Sequence, residues 1–124
     1  MWKVILFSIL LASCGQTYNS NSGDDKTTSG TSGIDTSSPA GQRLAAAYTV
    51  INNRCINCHT GYHNSWANLK SDAAWLASGT VVAGNTGGSS LISRLKNVGG
   101  DMPKLNPQIP EAEYQTLIDW VNGL

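Results

Sequence analysis

Cys55-Ile56-Asn57-Cys58-His59 is the stretch on which the reading of this chain turns. It is a C-x-x-C-H run, the spacing of a c-type haem attachment site. Each thiol can add to one vinyl group of a porphyrin, giving two thioether bonds. The adjacent imidazole then lies beneath the ring and can present a nitrogen to the iron. The spacing therefore predicts one covalent haem c, held by Cys55 and Cys58, with His59 as the proximal iron ligand.

The opposite axial position needs a donor from elsewhere in the chain. Beyond the initiator, the sequence has one methionine, Met102, in Gly99-Gly100-Asp101-Met102-Pro103-Lys104. The glycines let the chain turn, and Pro103 biases Met102 towards an extended backbone. Core filling is the commoner use of methionine. Next to a haem motif, a thioether on such a loop reads as the second axial ligand, and sulfur opposite histidine raises the reduction potential. His63 is too close to His59 in sequence to reach the far side of a ring, so it is expected to be an exposed polar residue or a propionate-side contact.

Cys55, Cys58, His59 and His63 are also zinc-type donors. Structural zinc sites use separated ligand pairs with a loop between them. Here all four fall in one turn-sized stretch, which makes tetrahedral closure difficult. A redox C-x-x-C without haem is the other competing reading.

The N-terminus reads as an address. Met1 to Ser13 has one charge, Lys3, followed by a short apolar run from Val4 to Ala12. That run is too short for a bilayer span, which needs ~20 residues, and fits a cleavable export signal. Leu11-Ala12-Ser13-Cys14-Gly15 resembles a bacterial lipobox, which implies that Cys14 becomes the lipidated first residue. Several acyl chains give stable anchoring, at about 0.8 kcal/mol per buried methylene. Residues 14–38 are rich in Ser, Thr, Gly, Asn and Asp, with Tyr18 and Ile34 the only sizeable apolar groups, so this stretch is expected to form a flexible tether. Residues 39–124 form the expected domain.

Two helices open and close that domain. From Pro39, the segment Ala40 to Asn53 carries Leu44, Ala47, Tyr48 and Ile51 at helical spacing and runs straight into Cys55. Pro110 to Asn122 places Tyr114, Leu117, Ile118 and Val121 on one face, with Glu111 and Glu113 in the first turn and Gly123 as a stop. Two such stripes in a small chain most simply pack on each other. Between them, Ser71 can cap a short helix over Asp72 to Ala77, and Ser89 or Ser90 another over Leu91 to Lys96. The Gly84 to Gly88 stretch lacks a Gly-Lys-Ser/Thr ending, which argues against phosphate binding.

Composition sets further bounds. The chain has 124 residues and zero formal net charge, with no basic cluster, which excludes a nucleic-acid role. Its three cysteines are all assigned, one to lipid and two to haem, leaving none for a disulfide. Small domains need a staple, and a covalent haem supplies one.

Taken in order, Cys55-Ile-Asn-Cys58-His59, the Ser90-Leu91-Ile92-Ser93-Arg94-Leu95 stretch, Met102-Pro103 and the closing helix Glu113 to Gly123 resemble a bacterial class I cytochrome c domain. The resemblance covers about Pro39 to Leu124. It implies an all-α cytochrome c-like fold, with the first and last helices packed on each other around a haem held by Cys55, Cys58, His59 and Met102. It also places Trp66, Trp75 and Trp120 around the haem, with Val81 and Val82 on the ring and propionates accepting from the indoles. Arg94 and Lys96 are read as a solvated helix face. Many class I members carry a proline after the haem motif whose carbonyl orients the proximal histidine. This chain has none between Pro39 and Pro103, so another carbonyl is expected to orient His59.

The implied function is electron transfer by a membrane-tethered carrier between redox partner proteins, not enzymatic turnover, since two saturating ligands leave the iron no open position. The rival readings are a haem-based sensor or small-ligand binder with a labile sixth ligand, and a haem subunit docked on a larger oxidoreductase. The expected location is the periplasmic face of a bacterial membrane. Gly15, where inner-membrane lipoproteins often carry Asp, points to the outer membrane by resemblance.

Overall fold

Ser38 starts the first helix. Its extended backbone and its Oγ, which accepts from the Gly41 N–H at 3.1 Å, cap α1 (Pro39–Arg54). Pro39 fills the first position, where a missing N–H costs nothing. A computed structural model describes residues 31–63 and 65–124 of the chain. The signal segment, Cys14 and most of the expected tether lie outside the described residues.

Three further helices follow: α2 (Asp72–Ala77), α3 (Ser90–Ser93) and α4 (Glu111–Asn122). Among the described residues there is no strand, only an isolated parallel bridge between Leu95 and Met102. The domain is all-α. Two helix boundaries match the capping logic closely. Ser71 accepts from the Ala74 N–H at 3.2 Å at the start of α2, and Gly123 ends α4 with its N–H on the carbonyls of Asp119 and Trp120.

The apolar stripes of α1 and α4 pack on each other. α1 contributes Leu44, Ala47, Tyr48, Val50 and Ile51, and α4 contributes Leu117, Trp120 and Val121. Trp120 takes a central place in the α4 stripe, and Ile118 and Tyr114 sit at its margin, half-buried. The helices are tied at both ends. Arg43 donates to the Gly123 carbonyl at 3.1 Å, and Arg54 pairs with both carboxylate oxygens of Glu113 at 2.8 and 2.9 Å. These ties fix an antiparallel sense.

Packing begins ahead of Pro39. Ile34, within the stretch that composition assigns to the tether, lies against the core. Gly41 explains part of this approach, since a Cβ there would collide with the Asp35 carbonyl.

The second capped segment departs from expectation. The α-helix runs only over Ser90–Ser93, and Lys96–Val98 forms a separate 3₁₀ turn closed by Gly99 at φ +84°. Ser89 stands at the N-cap but turns its hydroxyl inward. It is fully buried, donates to the Asn85 carbonyl at 2.7 Å and accepts from the Val82 N–H at 2.9 Å. The hydroxyl thus braces the Val82–Asn85 loop instead of extending the helix.

Candidate metal centre

α1 delivers the first thiol directly. Cys55 caps the helix, its N–H on the Ile51 carbonyl at 2.8 Å. A tight turn follows: the N–H groups of Cys58 and His59 both reach the Cys55 carbonyl at 3.0 Å. Both thiols are free. They differ in surroundings, Cys55 being half-buried against the core and Cys58 exposed. Burial, with a smaller contribution from Cys58, pushes the Cys55 thiol up to about 11, so it is protonated at neutral pH.

His59 is half-buried. Burial, then the neighbouring charges of His63 and Arg94, lowers its pKa below the ordinary imidazole value and favours the neutral ring, the form that ligates metals. Its Nδ1 is buried and has no hydrogen-bond partner among the described residues. The expectation that a backbone carbonyl would orient this ring is not met. The ring instead stacks on Trp66, centroids 4.0 Å apart and planes 12° from parallel.

Met102 sits on a loop pinned to the end of α3. Its N–H donates to the Arg94 carbonyl at 2.8 Å, and its carbonyl accepts from the Lys96 N–H at 2.6 Å. The Met102–Pro103 peptide is cis. The Met102 side chain is half-buried against the core. Gly100 makes this loop possible, because a Cβ there would run into the Arg94 backbone. The Arg94 carbonyl thus holds the Met102 loop to the end of α3.

Arg94 and Lys96 do more than face solvent. Arg94 grips Asp101 through both carboxylate oxygens at 2.9 Å, and Lys96 Nζ donates to the Asn106 carbonyl at 2.6 Å. Both therefore brace the Met102 loop. His63 is exposed, as expected.

The tryptophans form an edge-to-face series running from His59 into the core. Trp66 meets Trp75 at 5.4 Å, and Trp75 meets Trp120 at 5.6 Å. The indole N–H of Trp120 has a protein partner, Asp72 Oδ1 at 2.8 Å, where the resemblance placed a propionate. The Trp75 N–H is buried with no partner among the described residues. Val81 is buried, but Val82 is 42% exposed.

Among the described residues, no three His, Cys, Asp or Glu side chains converge on a point that could hold a metal ion. Two surface depressions of about 190 and 240 Å³ lie elsewhere, one beside Trp120 and Arg43, the other beside Tyr114 and Val98. The donor set fits a covalent haem by its chemistry: two free thiols in one turn, an imidazole whose burial favours the neutral ring, and a thioether on a braced loop.

The placing of two thiols and an imidazole in one turn is readable from spacing. The Trp66 stack and the bracing by Arg94 and Lys96 are not, since both depend on how separate turns meet in space. Comparison with protein-family models, curated proteins and solved structures finds no match to this chain.

Proposed function

We propose that this chain is a monohaem c-type cytochrome of the class I kind, an electron carrier held at the periplasmic face of a bacterial membrane by acylated Cys14. Cys55 and Cys58 would hold the haem through thioethers, and His59 and Met102 would bind the iron. When bound, the haem supplies a one-electron couple. The observation that carries the reading is the turn at the end of α1, which presents two free thiols and a half-buried imidazole whose surroundings favour the neutral ring.

The chain's own contribution is positioning. α1 and α4 make a rigid base for the thiol turn. Arg94, Asp101 and Lys96 hold the loop that carries Met102. Trp66, Trp75, Val81 and Leu95 supply buried apolar surface that keeps water from the core beside the site. Two strong axial donors suit exchange of electrons with partner proteins and leave no place for substrate.

The test is an optical redox titration of protein matured with a c-type haem attachment apparatus. The expected result is a low-spin spectrum, a weak sulfur-to-iron band in the oxidised form, and no ready carbon monoxide binding when reduced. Rapid carbon monoxide binding by the reduced protein would contradict stable Met102 ligation and favour a ligand-sensing role.

A further inference from the structure

A metal-bound histidine almost always donates its other ring N–H to a carboxylate, a carbonyl or water. The buried Nδ1 of His59 meets no such acceptor among the described residues. What meets the ring is the face of Trp66, 4.0 Å away and nearly parallel. A ring gripped by its face keeps its plane while its edge atoms stay unbonded.

Trp66 is itself well held. It is 8% exposed, and its indole meets Trp75 edge-on at 5.4 Å. The Trp66 backbone N–H donates to the His59 carbonyl at 3.2 Å, closing the intervening loop. The neighbouring Ala67 carbonyl accepts from the Tyr48 hydroxyl at 2.8 Å, which ties this turn to α1. The stack is therefore anchored to the same helix that presents Cys55.

The geometry points to Trp66 as the positioning residue of His59, setting the imidazole plane by stacking where a hydrogen-bond acceptor would otherwise do so. This inference rests on His59 being an iron ligand. It has a directional consequence. Hydrogen bonding at the second nitrogen raises the basicity of a ligating histidine. A stacked, unbonded imidazole is the weaker donor, so it stabilises the oxidised iron less and keeps the midpoint potential higher. Without Trp66 the ring is free to turn and find water or a carbonyl.

The experiment compares haem-loaded full-length wild type with Trp66→Phe and Trp66→Leu, reading haem content, the sulfur-to-iron band, the melting temperature and the midpoint potential. Phe preserves a stacking face and Leu does not. The expected result is full haem content in all three, a wild-type midpoint in Trp66→Phe and a negative shift in Trp66→Leu. A Leu variant that melts earlier but keeps the wild-type midpoint would assign Trp66 to packing alone and overturn the inference. Equal shifts in both variants would do the same. A wild type that takes up no haem would remove the ligand assignment, and this inference with it. A loaded wild type whose midpoint ignores Trp66 would remove the inference alone.

Discussion

Cys55 and Cys58 lie in one turn yet differ in exposure. A thiol raised to about 11 carries about a hundredfold less thiolate at neutral pH than one at the ordinary value of 9.0, and Cys55 is also half-buried. In haem-free chain, iodoacetamide is expected to label Cys58 well before Cys55. Equal labelling rates would contradict the burial of Cys55. Met102→Ala removes one axial donor and neither thioether. The expected outcome is retained haem, loss of the sulfur-to-iron band, a lower midpoint and new carbon monoxide binding in the reduced state. Met102 and His59 are candidates that the sequence names, because the C-x-x-C-H spacing and a lone methionine after the initiator are one-dimensional facts. The partner of His59 was not legible. Its imidazole is oriented by an aromatic face, a contact that no spacing rule encodes.

At the scale of elements, the α1–α4 pair carries most of the packing. Leu117 is 1% exposed in that interface, so Leu117→Ala is expected to cost about 2–5 kcal/mol in chemical denaturation. A loss near zero would mean that the stripes do not meet there. Arg54 beside Glu113 holds that carboxyl below its ordinary value of 4.5. Its folded pKa is thus depressed, so the pair's contribution is complete above about 4.5 and is lost as pH falls through the folded value. Exposure keeps this contribution small. Glu113→Gln is expected to lower the melting temperature slightly at pH ~7, and the difference is expected to shrink as pH falls through the folded pKa. Gly100→Ala is expected to cost about 1–3 kcal/mol by overpacking, and to weaken the sulfur-to-iron band, because the added methyl meets the Arg94 backbone that holds Met102. The long helices and α2 were legible because Ser38, Ser71 and Gly123 act locally. The Ser89–Val98 segment was not, because the Ser89 hydroxyl serves a loop seven residues upstream instead of its own helix.

For the molecule as a whole, α1 ends in the thiol turn and α3 ends at the braced Met102 loop, and Cys55 and Met102 both pack against one core. The proposed lipid anchor, Cys14, lies outside the described residues, and Cys14→Ser is expected to release the protein from membranes without altering its spectrum. A substituted protein that still sediments with membranes would contradict the lipid anchor. The central claim is that iron porphyrin is bonded to the sulfurs at 55 and 58. The most direct test is the intact mass of exported, denatured protein after acid-acetone extraction. The account predicts a mass raised by one haem that survives extraction and is lost when both cysteines are replaced by alanine. An unmodified mass, or pigment that leaves with the solvent, would contradict it.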